Sequence, residues 1–402
     1  MAQRIVVKIG SSSLASAEGG LLRERVRFYA AEIEAARRAG WQVLIVSSGA
    51  VAAGFRRLGY PARPQHVHEK QAAAAVGQAL LMQAYQEAFG EYGAAVAQIL
   101  LTRPDFGDRV RARNALATIE ELLRLGAVPI INENDTVAVN ELRFGDNDAL
   151  SALTATLVKA SGLYVLTDTD GLYTADPRKD PDARKIDRVE TISDDLLRIA
   201  GGSGTAVGTG GMRSKIEAAR IAVAGGVPAF IGRVAEPGDL VAALRGEGKG
   251  TYFAAGEHAL SAKKQWIGFL SVPQGRIIVD EGAAEALVNG GKSLLPAGIV
   301  NAEGDFHPGD VVEVVGRDGR LLGRGVTHYA AWQVSAACGL SSDEAMRRAD
   351  APRPEVIHRD EWVPLLSASP ASHHGSTDIH HAREVHSHER RTGEIASRHA
   401  GQ

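Results

Sequence analysis

Two lysines, each close to glycine and serine, lie in the segments of this chain best suited to binding phosphate. Lys8 precedes Gly10 and three serines, and Lys215 follows the glycine-rich run in GTGGMRSKIEAA. Glycine lets backbone N–H groups approach phosphate oxygens, and a flexible ammonium group follows negative charge as it moves. A helix that starts after a glycine-rich loop adds free N–H groups. Neither segment is a GxxxxGK[ST] P-loop, and KIGSSS taken alone is better explained as a turn with an exposed lysine.

Acidic and amide side chains crowd two neighbouring segments, INENDTV (residues 131–137) and FGDNDAL (residues 144–150). Carboxylates there could orient lysines, hold a magnesium ion or bind a substrate ammonium group. The alternative is a cluster of Asx turns in which Asp148 caps a helix over residues 149–161. The candidate residues are Asn132, Glu133, Asn134, Asp135, Asp146, Asn147 and Asp148.

The spacing of apolar residues predicts that these segments follow strands of one open, mostly parallel sheet. Over the first 230 residues, short β-branched runs alternate with stretches of helical periodicity, which is typical of an α/β sheet sandwiched by helices. The predicted strands are RIVVKIG, WQVLIVSSG, AAVAQILL, AVPIIN, LYVLTD and VPAFIG. Ligands of such sheets lie beyond the carboxyl ends of the strands. Lys8, the loop containing Ser48, and Thr167 with Asp168 all follow strands in this way.

A change of pattern after about residue 255 predicts a second domain. Short strands and turns replace the alternation, and GRDGR between two apolar runs indicates a hairpin. We assign residues 1–255 to the α/β domain, 256–273 to a linker and 274–355 to a small β barrel. Residues 356–402 form a C-terminal extension that is His-rich and expected to be disordered after residue 370. Its histidines could capture a metal ion without serving a function.

Composition restricts the classes of partner. The 402 residues carry a formal net charge of −3, which gives no chain-wide reason to bind nucleic acid or an anionic membrane. No apolar run is long enough to span a membrane and no signal peptide is evident, so we expect a cytoplasmic protein. The single cysteine, Cys338, cannot form an internal disulfide and is interpreted as a core residue.

Seven segments together resemble the glutamate 5-kinase family, which has the amino acid kinase fold. They are VVKIGSSSL, VSSGAVAAG, QAAAAVGQ, INENDTV, FGDNDALSA, LTDTDGLYTADPR and GTGGMRSKIEAA, and they occur in the family's order. The resemblance covers residues 4–359, including a C-terminal barrel similar to a PUA domain. NENDTV followed by GDNDxLSA is the most specific part. The His-rich end departs from the family pattern.

The resemblance implies a role for individual residues. Lys8 and Lys215 would be catalytic, with Asp148 organising the two ammonium groups. Ser48, Asp135 and Asn147 would bind glutamate, with Asn132 and Asp146 as neighbours of the substrate. The ATP-binding residues implied are Lys8, Thr167, Asp168, Thr209, Gly210, Gly211, Met212, Arg213, Ser214 and Lys215.

By the same resemblance the reaction is transfer of the ATP γ-phosphate to the γ-carboxylate of glutamate, with Mg²⁺ bound to the nucleotide and no metal held by protein side chains alone. Proline as feedback inhibitor, a downstream glutamyl phosphate reductase and a homo-oligomer (dimer or tetramer) are also implied. One alternative is a kinase of the same fold acting on aspartate, acetylglutamate or carbamate. Another is an RNA-binding regulator, although Arg317, Arg320 and Arg324 are better explained as solubilising charges.

Overall fold

A computed structural model describes residues 3–16, 18–138, 147–175, 177, 180–193, 196–197, 199, 211–256 and 260–365. These residues belong to one unit, Met1–Ser367, and the remainder, Ala368–Gln402, is a second unit that lies outside the described part. The part of the predicted C-terminal extension after residue 365, with its histidine-rich end, and most of the loop before Gly211 therefore also lie outside it. No helix in the described ranges is long and apolar enough to cross a membrane.

An open, mostly parallel sheet organises the first domain, as predicted, and it has eight strands. Its spatial order is β3-β4-β2-β1-β5-β9-β10-β8, and every neighbouring pair is parallel except β9 and β10. The strands are β1 (Arg4–Ile9), β2 (Gln42–Ser47), β3 (Val96–Leu101), β4 (Val128–Glu133), β5 (Gly162–Thr167), β8 (Arg188–Val189), β9 (Ala229–Arg233) and β10 (Lys249–Phe253); β6 (Leu172–Tyr173) and β7 (Lys185–Ile186) form a separate antiparallel ribbon.

The central strands are buried on both faces. In β1, Ile5 and Val7 belong to one apolar cluster and Val6 to another, because successive side chains of a strand point to opposite faces. Helices cover both clusters: α1 (Ser11–Leu14), α2 (Arg23–Arg38), α3 (Ala50–Gly54), α4 (Val67–Gly90), α5 (Arg103–Gly107), α6 (Arg109–Arg124), α7 (Asn147–Leu157), α8 (Met212–Ala224) and α9 (Asp239–Leu244). A 3₁₀ turn, Phe55–Leu58, follows α3.

Two glycines allow α3 and α4 to approach each other backbone to backbone. A Cβ atom built on Gly77 would lie 1.7 Å from the carbonyl oxygen of Ala50, and one on Gly54 would lie 2.0 Å from that of Ala73. No side chain fits at either distance. The packing fixes α3, and with it the loop that joins β2 to α3, against the middle of the long helix α4.

The second domain is a five-stranded sheet of order β12-β11-β13-β14-β15. Its elements are β11 (Gly275–Val279), α11 (Glu281–Val288), the 3₁₀ turn Pro296–Gly298, β12 (Ile299–Gly304), β13 (Val311–Gly316), β14 (Leu321–Thr327), α12 (Ala331–Ala337), α13 (Ser342–Ala349) and β15 (Ile357–Pro364). The antiparallel pair β13–β14 turns through Gly319, at φ +78°, in the GRDGR segment. Strand β15 pairs with β14, so the sheet extends past residue 355.

A short helical segment connects the two domains and packs against both. It comprises α10 (Ala262–Gln265) and a π-helical turn, Trp266–Leu270. The Trp266 indole donates to the carbonyl oxygen of Gly107 at 3.0 Å, and Arg103 donates to that of Phe269 at 3.0 Å. Arg220 of α8 donates to the carbonyl oxygen of Leu365, just after β15. The second domain therefore contacts the helix that carries Lys215.

Candidate active site

The candidate site lies where the carboxyl ends of β1, β2, β4 and β5 meet the first turns of α7 and α8. The four strands are parallel, so the residues that end them lie along one edge of the sheet. Lys8 is near the end of β1, Ser48 follows β2, Asn132 is near the end of β4 and Thr167 ends β5. The first turn of α8, more than two hundred positions after Lys8 in the chain, is thereby brought to the same edge.

Lys8, Asp148 and Lys215 form a buried ion-pair triad. The Lys8 ammonium contacts Oδ1 of Asp148, and Lys215 Nζ lies 3.6 Å from Oδ2 of the same carboxylate. The side chains of Lys8, Lys215 and Asp148 are 5%, 11% and 0% exposed. Two lysines from opposite ends of the α/β domain therefore converge on one acid. The triad has one net positive charge, which suits a site for phosphate.

The charge state of Asp148 is set by its neighbours. Burial raises the pKa of this carboxyl, but the Lys8 and Lys215 ammonium groups, with hydrogen bonds from Lys8 and Ser214, lower it to about 2. The carboxylate is consequently ionised at neutral pH and holds both lysines. The alternative in which Asp148 caps a helix starting at residue 149 is wrong, since α7 begins at Asn147 and the carboxylate points to the lysines.

Asn147, next to Asp148 in the chain, belongs to a different group of contacts. Its Nδ2 atom donates to the carbonyl oxygen of Ser47 at 2.7 Å, to Oγ of Ser48 at 3.1 Å and to Oδ1 of Asn132 at 2.7 Å. Consecutive residues of a helix point about 100° apart, so one turn of α7 serves both groups. The structure thus brings together Ser48, Asn132 and Asn147, three of the residues expected to surround glutamate.

Asp135 lies beside this cluster, in the turn that follows β4. Together with Asn134 and Thr136 it lines a cavity of about 290 Å³ whose other wall includes Gln78 and Gln98. Burial lowers the pKa of Arg63, and the nearby Asp135 carboxylate opposes that shift, so the two groups interact electrostatically. The interaction of Arg63 with Asp135 was not predicted from the sequence, because the segment around Arg63 carries no motif. Asp146, Thr209 and Gly210 lie outside the described residues.

Apart from Lys8, the described residues expected at the nucleotide lie at the end of β5 and at the start of α8. Thr167 Oγ1 donates to Asp168 Oδ1 at 3.1 Å, directly after β5. Gly211 precedes α8; Met212 packs on the apolar core and Arg213 pairs with Glu217 on the helix surface. Ser214 is different, because its hydroxyl lies 2.8 Å from Oδ2 of Asp148 and 2.8 Å from the carbonyl oxygen of Gly211. Its contact with the triad was not predicted from the sequence.

The described side chains suit a metal ion that arrives with the nucleotide. No group of three or more His, Cys, Asp or Glu side chains in the described ranges is arranged to hold a metal ion by itself. Asp148 is engaged by two lysines, and Asp168 is one carboxylate at the end of β5. A cation coordinated mainly by phosphate oxygens, with at most one or two carboxylates, fits this set.

Comparison with known proteins assigns the two domains. Residues 3–233 match the model of the amino acid kinase family, and residues 275–348 match that of the PUA domain. The predicted fold class is therefore confirmed. Among solved structures, carbamate kinase from Giardia lamblia aligns with a TM-score of 0.45 and 20% identity over 63% of this chain and 99% of that one.

Relatives of known function identify the group within the amino acid kinase family to which the chain belongs. The glutamate 5-kinase of Geobacillus kaustophilus is 51% identical over 368 residues, covering 91% of this chain and 98% of the relative. That of Bacillus cereus strain ATCC 10987 is 48% identical, covering 90% of this chain and 99% of the relative. The chain belongs to the amino acid kinase family and, within it, to the glutamate 5-kinases.

Proposed function

We propose that this chain transfers the γ-phosphate of ATP to the side-chain carboxylate of L-glutamate, giving glutamyl 5-phosphate and ADP. The observation that carries the proposal is the Lys8–Asp148–Lys215 triad beside the Ser48–Asn132–Asn147 amide cluster. The first group suits a migrating phosphoryl group and the second suits a small polar substrate. The roughly 50% identity to glutamate 5-kinases supports the choice of glutamate.

The proposed step is an in-line displacement at the γ-phosphorus. An oxygen of the glutamate γ-carboxylate forms the new P–O bond, and the bond to the bridging β,γ-oxygen breaks with its electron pair leaving on ADP. The nucleophile is already ionised at neutral pH, so no general base is required. Mg²⁺ bound to the nucleotide would neutralise phosphate charge. Lys8 and Lys215 stabilise the charge on the transferring group, and Asp148 holds their ammonium groups in place.

Substrate recognition is proposed to use the amide cluster and Asp135. Asn147 and Asp135 supply acceptors for the substrate ammonium group, and Ser48 with nearby backbone N–H groups supplies donors for the α-carboxylate. Thr167, Asp168 and the segment from Thr209 to Lys215 would contact ATP. The family relationship supports four further parts of the proposal. Proline acts as feedback inhibitor, and a downstream reductase consumes the acyl phosphate. The protein is cytoplasmic and forms a homo-oligomer.

The RNA-binding alternative gains no support from Arg324. This side chain is 13% exposed, pairs with Glu313 at 3.2 Å and donates to the carbonyl oxygen of Gly268. A guanidinium held inside the domain is not available to a nucleic acid backbone. Salt-dependent RNA binding by the purified chain, measured on filters at physiological ionic strength, would revive this alternative.

An acyl phosphate trap tests the proposed reaction directly. Hydroxylamine converts the product to a hydroxamate, which should appear only with both ATP and glutamate present. Aspartate, acetylglutamate and carbamate are compared in parallel by release of ADP. Faster ADP release with any of these three than with glutamate would contradict the assignment. Repeating the assay with added proline tests the proposed inhibition.

A further inference from the structure

A row of four carboxamide side chains runs from the amide cluster to the edge of the sheet. Asn147 Nδ2 donates to Asn132 Oδ1 at 2.7 Å, Asn132 Nδ2 donates to Gln78 Oε1 at 2.8 Å, and Gln78 Nε2 donates to Gln98 Oε1 at 3.0 Å. Asn132 and Asn147 are buried, Gln78 is half-buried, and Gln98 on β3 is exposed. The last two residues have no role in the function proposed above.

The direction of this row is fixed by two backbone groups. The carbonyl oxygen of Ser47 can only accept, so the atom of Asn147 that faces it is the amide nitrogen. The N–H of Glu133 can only donate, and it lies 2.9 Å from the atom of Asn132 that is thereby identified as oxygen. Asn147 has therefore committed its two amide hydrogens to protein oxygens. The atom it offers to a substrate is its oxygen, an acceptor.

Gln78 is held in place by the packing of α4. The preceding residue, Gly77, touches the backbone of Ala50, immediately after the loop that contains Ser48. Tyr85, seven residues after Gln78 and on the same face of the helix, is fully buried with its hydroxyl 2.9 Å from Ser47 Oγ. The helix α4 therefore contacts the residues around the amide cluster at three points, through Gly77, Gln78 and Tyr85.

We propose that Gln78 is a positioning residue for substrate binding. Its Oε1 accepts from Asn132, which fixes the Asn132 amide, and Asn132 in turn fixes Asn147 so that the Asn147 oxygen faces the substrate ammonium group. Loss of the Gln78 acceptor leaves the buried Asn132 N–H₂ group without that partner. The Asn132 amide can then rotate, and the amide of Asn147, which donates to it, changes orientation as well. The identity of the substrate rests on the proposed function; the orientation of the amides does not.

The test compares three variants of α4. Gln78→Met removes both polar atoms at similar size and should raise KM for glutamate at least about tenfold, with kcat and KM for ATP changed less than about twofold. Gln78→Glu keeps an acceptor for Asn132 and should restore KM to within about threefold of the unmodified chain. Gln83→Met is the matched control, because Gln83 is exposed on the same helix and donates to Glu87 of that helix.

The outcomes are separable from those of the proposed function. If the unmodified chain prefers another carboxylic acid, the same comparison is made with that acid. An unchanged KM in Gln78→Met, or Gln78→Glu as impaired as Gln78→Met, would overturn the positioning role. Should Gln78→Met fail to fold, Gln78→Ser replaces it, because a serine hydroxyl is too short to reach Asn132. Combining the substitution with Asn132→Ala should add less than about twofold to KM, and an independent effect would contradict transmission through Asn132.

Discussion

Asn147 and Asp148 are adjacent in the chain but take part in two separate networks. Asn147 bonds the ends of β2 and β4 through Ser47, Ser48 and Asn132. Asp148 binds Lys8 of β1 and Lys215 of α8. The first turn of α7 therefore contributes one residue to the proposed substrate site and the next residue to the proposed phosphoryl site. The two sites are thus adjacent, as a transfer between the two bound substrates requires.

Replacing Lys215 by alanine should reduce kcat far more than it changes KM for glutamate. We expect a loss on the order of 2 to 4 kcal/mol in transition-state stabilisation, since the ammonium group acts on charge that moves during transfer. The measurement is steady-state kinetics with both substrates varied. Lys263→Ala is the control, because Lys263 is exposed and pairs with Glu361 of β15 in the second domain. Near-normal kcat in Lys215→Ala would remove the lysine from the mechanism.

Asp148 should make stability depend on acid pH. Its pKa is lowered to about 2 in the folded protein, against an ordinary value of 3.8, so its contribution to stability is complete above about pH 4 and declines as the pH falls toward 2. In Asp148→Asn the two lysines lose their partner, and the free energy of unfolding at neutral pH should fall by several kcal/mol.

The difference between Asp148→Asn and the unmodified chain should shrink by on the order of 2 kcal/mol between pH 5 and pH 2, because a protonated aspartic acid resembles asparagine. Denaturant titrations at several pH values measure it. A difference that stayed constant over this range would show that Asp148 does not titrate as its contacts with the lysines require.

Ser214→Ala should produce a smaller kinetic defect than Lys215→Ala. The variant loses a hydroxyl 2.8 Å from the Asp148 carboxylate, and a hydrogen bond to a charged group contributes about 1.5 to 3 kcal/mol. We expect kcat to fall roughly tenfold, with recovery in Ser214→Thr. Ser335→Ala, on the exposed surface of the second domain, is the matched control. An undiminished kcat in Ser214→Ala would mean that the lysines orient Asp148 without help.

Gly77→Ala tests the contact between α3 and α4. The added Cβ would lie 1.7 Å from the Ala50 carbonyl oxygen, so the helices must separate and displace the loop that contains Ser48. The free energy of unfolding should fall by about 1 to 3 kcal/mol and KM for glutamate should rise. Gly90→Ala, at the end of the same helix with open space around it, should be neutral or stabilising. Equal effects of the two substitutions would contradict this account.

The existence and type of the longer helices and strands followed from local pattern, whereas some ends did not: α7 stops at Leu157 and not at residue 161. The helix predicted to start after the glycine-rich loop is observed as Met212–Ala224, and the six predicted strands of the sheet are all present. Three shorter elements were not predicted: α3, α9 and the antiparallel strand β10. Each is five or six residues long, which is too short for a periodicity of apolar residues to be recognised. The helices of the second domain were also not predicted, because their short apolar stretches are mixed with turn residues.

The sequence alone determined the class of fold and the segments in which chemistry is expected, because the periodicity of apolar residues and the glycine-rich turns are local properties. Tertiary structure decided which side chains meet. Lys8 and Lys215 lie more than two hundred positions apart, and only the parallel order of β1, β5 and β9 brings both to Asp148. The same is true of Gln78, which nothing in the sequence distinguishes from other helix residues. Only the packing of α4 against the sheet places its Oε1 atom 2.8 Å from Nδ2 of Asn132.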